Sequence, residues 1–335
     1  MNKAETPAAA SATCDYSTIA AAVGDELRAA EAKLSRLLDS REALIAEICH
    51  YLIDGGGKRL RPLFILLVYR ACGGSDAKLD DAIDASIALE LIHSATLLHD
   101  DIIDAGMLRR GKPSAYARYG PAASLVAGDY LFCRAFELCG RFDERLVRTA
   151  AHACIQLTEG EVMEGRLRRQ AAVVLDDYIA VITRKTASLF AAGGRVAADL
   201  AGADEPTIAA MDNLGRAVGL AFQMVDDLLD ILGPEEKIGK PVGSDLRAGI
   251  MSLPVVLGVQ SNAELRRLLG NGNKLEGPAL ERMLDLLRDP ALISCGRAMA
   301  AQQVAAARGL LMRLRPSLYR DNLAMLIEDQ INRDI

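Results

Sequence analysis

The chain has 335 residues, with 39 Lys and Arg against 45 Asp and Glu; a formal charge of −6 excludes a general polyanion-binding surface, so nucleic acid is not an expected partner. Hydrophobic residues are 51% of the chain, aromatics only 4% and Trp absent, which suits packed helices of Ala, Leu, Ile and Val rather than strands and turns. Seven cysteines, at 14, 49, 72, 133, 139, 154 and 295, are odd in number and form no C-x-x-C pair, which argues against a disulfide framework or zinc site and for small apolar residues in a reducing cytosol.

Residues 1–15 read as a disordered lead-in without an apolar run of signal-peptide length. The densest apolar run, 63–68, is far too short to span a membrane, so a soluble, cytoplasmic protein is expected. Residues 16–335 read as a single all-α domain, a large helical bundle. Its first helices are expected over 17–38 and 42–52. Asp54, three glycines, Lys58, Arg59, Arg61 and Pro62 then precede an apolar helix ending near Cys72. Pro62 suits a first helical turn, so basic side chains and free backbone N–H groups meet at a helix N-terminus, a natural anion site. It is not a nucleotide P-loop, because Leu52 and Arg59 stand where that pattern needs Gly and Ser or Thr.

The next helix begins near Lys78 and is expected to stop at Gly106. Its last turn carries Asp100, Asp101 and Asp104. At about 100° per residue, Asp100 and Asp104 lie roughly 40° apart around the axis and one turn apart along it, as oxygen ligands are presented to a hard cation. Three carboxylates at the negative end of a helix dipole need a counter-ion. The loop that follows, 106–114, carries Arg109, Arg110 and Lys112, whose guanidinium forks match phosphate oxygens.

Helical patterns continue over 122–139, 143–170, 176–200 and 207–232, with Lys185 inside the third. The last of these ends in FQMVDDLLDILGP, where Asp226, Asp227 and Asp230 repeat the i, i+1, i+4 spacing just before a glycine. Six carboxylates brought together are prohibitive without cations, so shared metals are the economical explanation. A second Gly-rich loop, GKPVGSDL, adds Lys240. Residues 252–335 read as helices without evident chemistry.

With two DDxxD motifs, GGGKRLRP, RRGKPS and FQxxDDxxD in this order, the chain resembles the trans-isoprenyl diphosphate synthases, or polyprenyl synthetases, over about residues 52–254. ELIHSATLLHDDIIDAGMLRRGKPS is similar to the long-chain, octaprenyl-type branch. The resemblance implies an isoprenoid-synthase bundle around a central cavity and a homodimer. It also implies three Mg²⁺ held by both aspartate motifs, and condensation of isopentenyl diphosphate with an allylic diphosphate to a longer trans product. By motif, Asp100, Asp104 and Asp226 would be the principal metal ligands, with Asp101, Asp227 and Asp230 direct or behind them. Lys58, Arg61, His93 and Arg110 would hold isopentenyl diphosphate. Arg109, Lys185 and Lys240 would hold the allylic diphosphate, with Thr186 and Gln223 near the reacting end. The chain departs from the pattern at Ile250 and Ser252, where many relatives carry Lys and Thr; this bears on a secondary phosphate contact, removes no metal ligand and is shared by some long-chain members. Short-chain relatives place a bulky aromatic four or five residues before the first motif; here Ala95 and Thr96 leave a product tunnel open. Its far end is a choice among Phe132, Phe136, Ala151 and His152. The product would be a long polyprenyl chain for quinone side chains, leaving through transient membrane contact. Geranylgeranyl or farnesyl synthesis, or the catalytic subunit of a heteromeric synthase, are the alternatives. The second motif and the basic segment argue against a class I terpene cyclase, and six retained aspartates argue against a non-catalytic subunit.

Overall fold

The computed structural model describes residues 16–233, 241–270 and 275–329. Four helices lead in: α1 Tyr16–Ala21, α2 Gly24–Leu37, α3 Ala43–Ile53 and α4 Leu60–Ala71. The axis of the molecule is α5, Leu79–Ile103, whose 25 residues span about 37 Å. It buries consecutive residues from Ala82 to Ile92, and a helix apolar on every side has to run inside the bundle. Around it pack α2, α4, α7 (Pro121–Cys139) and α10 (Ser188–Leu200), with the short α6 (Ala115–Tyr119) at its end.

Next in order are α8 (Glu144–Leu167), α9 (Leu175–Ile182) and, after α10, α11 (Glu205–Leu232). Short polar side chains open several helices: Ser114, Asp143 and Asp204 each accept a backbone N–H three residues on, at 3.0 Å. The C-terminal part comprises α12 (Ser244–Ala248), α13 (Leu253–Ser261), α14 (Ala263–Leu269), α15 (Gly277–Leu287), α16 (Pro290–Leu311) and α17 (Leu318–Asp329). Two apolar clusters result, one around α5 and one where α9 and the end of α11 meet α13 to α15. Helices α11 and α16 feed both, through Met211 and Met224 on the first and Val304 and Ala300 on the second.

The all-α expectation holds, with three local differences. The helix expected over 17–38 is split at Ala22 and Val23, where Val23 leaves helical geometry and is wholly buried. The stretch expected as one helix over 176–200 contains a π turn, Thr183–Ala187. The loop 106–114 contains a two-residue antiparallel ladder, β1 Leu108–Arg109 with β2 Lys112–Pro113. Its turn, Arg110-Gly111, has φ of 52° and 73°, the left-handed pair required by a tight hairpin. Two cysteines also differ from expectation: Cys133 and Cys295 are exposed rather than core.

Helices α10 and α11 touch backbone to backbone. A Cβ at Gly194 would fall 2.2 Å from the Met211 carbonyl oxygen, and one at Gly215 2.1 Å from that of Phe190. This contact fixes the distance between Lys185 and Thr186, just before α10, and the second aspartate motif at the end of α11.

Candidate active site

Helix α5 ends at Ile103 with Asp104 as its C-cap. The expected stop at Gly106 comes one residue early: Ala105 takes φ 49°, and the Gly106 N–H donates to the Asp101 carbonyl at 2.8 Å. A residue with a Cβ pays roughly 1–2 kcal/mol for that conformation. Among the described residues four non-glycines have positive φ, Arg59, Ala105, Arg110 and Arg169, and all lie beside the charged groups described here. Strain of this kind collects at functional sites.

The turn divides the three aspartates. Asp101 is 4% exposed and accepts two parallel N–H bonds from Arg109 Nε and Nη2, at 2.9 and 2.8 Å, so it fixes the guanidinium of a second predicted site residue. Asp100 and Asp104 are half-buried and share the other face. There they meet Glu161, Glu164 and Arg168 of α8 and its C-cap, residues carried by no family motif quoted above. Lys185 lies 2.6 Å from Glu161 and 2.7 Å from Glu164, while Arg168 bonds Asp104 and stands 3.7 Å from Glu164. Their i, i+3, i+7 spacing puts them on one helix face. What turns that face inward is Gly160, where a Cβ would sit 2.6 Å from the Lys185 backbone nitrogen.

Burial, reinforced by Glu161 and Asp104 and opposed by Lys185, pushes the Asp100 carboxyl up to about 7. Burial works to lower the Lys185 ammonium, but Glu164, Asp100 and Glu161 outweigh it and hold the group charged. The π turn then links the two motifs: Thr186 donates to Gln223 Oε1 at 2.7 Å, and Gln223 Nε2 donates to Asp227 at 2.8 Å.

The second motif divides in the same way. Asp227, 3% exposed, also accepts the Tyr178 hydroxyl at 2.8 Å and the Leu253 N–H at 2.9 Å, and burial pushes its carboxyl up to about 7. Asp230, 1% exposed, accepts the Ser244 hydroxyl at 2.6 Å and the Asp245 N–H at 3.2 Å, anchoring the start of α12. Asp226 remains half-buried, near enough to Arg61 to help hold its charge. Asp227→Ala is expected to cost roughly 3 kcal/mol in urea unfolding, because three donors lose their buried acceptor; an unchanged midpoint would show that they find other partners.

The cations of 58–61 form a second group. Arg59, at φ 45°, is tied to the Ile53 carbonyl at 2.8 Å and Glu31 at 2.7 Å. Arg61 stacks on Phe190, 4.8 Å from the ring centre, with Nε buried and lacking a hydrogen-bond partner. Arg110 reaches Gly57, where a Cβ would come within 3.0 Å of its guanidinium. Lys58 is exposed, 5.7 Å over the Tyr16 ring. Burial and then the charges of Arg61, Arg109 and Arg110 hold His93 well below its ordinary pKa, so it is a neutral donor among cations. Glu90, 6% exposed and 3.6 Å from Arg59, is the carboxylate that balances this group. Lys240 lies outside the described residues.

Ala95 and Thr96 are both buried on α5, and the Thr96 hydroxyl is turned back to the His93 carbonyl at 2.8 Å. Of the candidates for the far end of a tunnel, Phe132 packs at 5.8 Å on the His99 ring and Phe136 is exposed. His152 lines a groove of about 750 Å³ between α8, α10 and α11.

The donor set fits a hard divalent cation. Burial, with Glu161 and Asp104 adding to it, raises the cost of the Asp100 charge, and Glu161 Oε1 is buried without a hydrogen-bond partner. No three His, Cys, Asp or Glu side chains among the described residues converge to hold an ion unaided. Mg²⁺ is commonly bound in just this way, through one or two carboxylates with waters and substrate phosphates completing its shell.

A helical bundle that directs carboxylates and two groups of cations toward one region defines an enzyme of small phosphorylated substrates. The chain belongs to the polyprenyl synthetase family, whose model matches residues 42–285. It is 36% identical over 295 residues to a short chain isoprenyl diphosphate synthase of Methanothermobacter thermautotrophicus, covering 85% of this chain and 89% of the relative. It is 34% identical over 315 residues to a nonaprenyl diphosphate synthase of Mycobacterium tuberculosis, covering 92% and 93%. A polyprenyl synthase from Caulobacter crescentus, crystallised with calcium and isoprenyl diphosphate, superposes with a TM-score of 0.90 at 30% identity, covering 96% of this chain and 98% of that one. The protein is thus a prenyltransferase, of a family that uses a divalent metal, isopentenyl diphosphate and allylic diphosphates. No helix among the described residues is long and apolar enough to cross a membrane.

Proposed function

We propose that this chain makes a long all-trans polyprenyl diphosphate, octaprenyl-like and destined for quinone side chains, by Mg²⁺-dependent head-to-tail condensation. It would act as a cytoplasmic homodimer whose product leaves through transient membrane contact. The relatives range from short-chain to nonaprenyl synthases, so chain length has to be read from this chain's own residues. The observation that carries the reading is the small side chain at Ala95, buried in α5 just over one turn before Asp100. An apolar chain growing from the carboxylate end of α5 meets no aromatic floor there.

In this reading Asp100, Asp104 and Asp226 hold Mg²⁺, three ions with the allylic diphosphate bound, and Lys185, Arg109 and Lys240 bind that diphosphate directly. The metal supplies positive charge against the departing diphosphate. Arg61, Arg110, Lys58 and neutral His93 orient isopentenyl diphosphate, His93 donating one N–H without adding charge. Thr186 and Gln223, already bonded to each other, flank the reacting end. The allylic C–O bond breaks with its electron pair leaving on diphosphate. The isopentenyl double bond then attacks the allylic carbon, and a proton is lost from the adduct to form the new double bond. Asp101, Asp227 and Asp230 contribute by fixing Arg109, Gln223 and the start of α12.

The test is incubation of purified protein with Mg²⁺, labelled isopentenyl diphosphate and farnesyl diphosphate, followed by product sizing. Products of about forty carbons are expected; products that stop at twenty carbons would favour the short-chain alternative, and no elongation would defeat the proposal. Ala95→Tyr is expected to shorten the product while preserving the rate of the first condensation. An unchanged length would place the floor elsewhere.

A further inference from the structure

Beyond the family's motifs, the structure assigns a role to Arg168. It sits at the C-cap of α8 and bonds Asp104, with its Nε buried and unpartnered and Glu164 3.7 Å away. The backbone beside it is pinned: Arg169, at φ 56°, donates its N–H to the Gly249 carbonyl at 3.0 Å and lays its side chain against Gly249. With α8 on one side and this anchor on the other, Arg168 has little freedom except in its side chain.

We propose that Arg168 is a displaceable counter-ion for the metal-binding carboxylates. It neutralises Asp104 in the empty protein, leaves Asp104 when a divalent cation binds there, and swings to Glu164. Glu164 is one of the two carboxylates that hold Lys185, at 2.7 Å. Arg168 arriving at Glu164 weakens that hold and frees the ammonium of Lys185 for a diphosphate. Metal occupancy and the readiness of Lys185 are thereby coupled through two side chains of one helix end. Arg168 is a positioning residue in this scheme, since it acts through Asp104 and Glu164.

This rests on the reading of Asp100 and Asp104 as metal-holding, and the experiment separates the two. Mn²⁺ alone, without substrate, is titrated into the full chain and free ion is followed by electron paramagnetic resonance. Arg168→Gln is expected to bind Mn²⁺ about tenfold more tightly, because an ion-pair competitor is gone, and to melt at lower temperature than the native chain without metal but not with it. In an Asp104→Asn background the same substitution is expected to leave Mn²⁺ affinity unchanged, which a general loss of positive charge would not. Arg168→Lys keeps the charge without the fork and is expected to fall between, which serves if Arg168→Gln does not fold. Equal or weaker Mn²⁺ binding by a folded Arg168 variant overturns the proposal while leaving the metal reading intact. No Mn²⁺ binding by the native chain without substrate overturns the proposal, which needs the ion at Asp104 before a diphosphate arrives, while the metal reading, in which substrate phosphates complete the shell, stands or falls by the elongation assay.

Discussion

Asp100→Asn is expected to make the metal-free protein more stable and the enzyme inactive. The substitution removes a half-buried carboxylate whose pKa is pushed up to about 7. Since the folded value lies above the unfolded one near 4, the folded state holds the proton more tightly, and stability falls as pH rises from about 4 through 7. At pH 8 the native chain carries that cost in full and the Asn variant does not. Thermal unfolding with chelator present should favour the variant by on the order of 2 kcal/mol at pH 8, with the gap closing toward pH 5. Turnover should fall by about 10³-fold or more, the scale of losing electrostatic support for a leaving group. Equal stability at pH 8 would show that Asp100 is not strained in the empty site; retained turnover would remove it from the chemistry.

The second large effect is structural. Gly215→Ala places a methyl group 2.1 Å from the Phe190 carbonyl oxygen, a contact that only separation of α10 and α11 can relieve. Overpacking a rigid backbone contact costs about 3 kcal/mol. The displacement reaches the site, because Thr186 precedes α10 and Gln223 lies on α11, bonded at 2.7 Å. A misplacement of about 1 Å is enough for a 10²-fold loss in kcat/KM. Calorimetry and steady-state rates should therefore move together. A Gly215→Ala protein within twofold of native activity and unchanged in melting would mean that the two helices are not held as tightly as their backbones suggest.

The helical architecture was legible because a helix leaves its period in the sequence, and α5, α7 and α11 fall within a residue or two of where the apolar spacing places them. The π turn was not, since nothing in the residues Thr183–Ala187 distinguishes it from a turn of α-helix; it lies where the Lys185 backbone packs against Gly160. Glu161, Glu164 and Arg168 read locally as ordinary surface charges. Nothing in their spacing says that the face they share is turned toward Lys185 rather than toward water.

The sequence alone determined that two helices end in aspartates at a common spacing, that basic segments follow a triple glycine and the first motif, and that a small residue stands at position 95. These are properties of single elements, set by helical period, turn residues and residue type. Only the tertiary structure decided how the six aspartates divide. Asp101, Asp227 and Asp230 are buried against Arg109, against Gln223, Tyr178 and Leu253, and against Ser244 and Asp245, while Asp100, Asp104 and Asp226 stay half-buried, Asp104 with Arg168 against it. The physical reason is that a carboxylate's role depends on which donors reach it. Apart from Gln223 beside Asp227, the described side-chain donors to those three come from other elements of the chain.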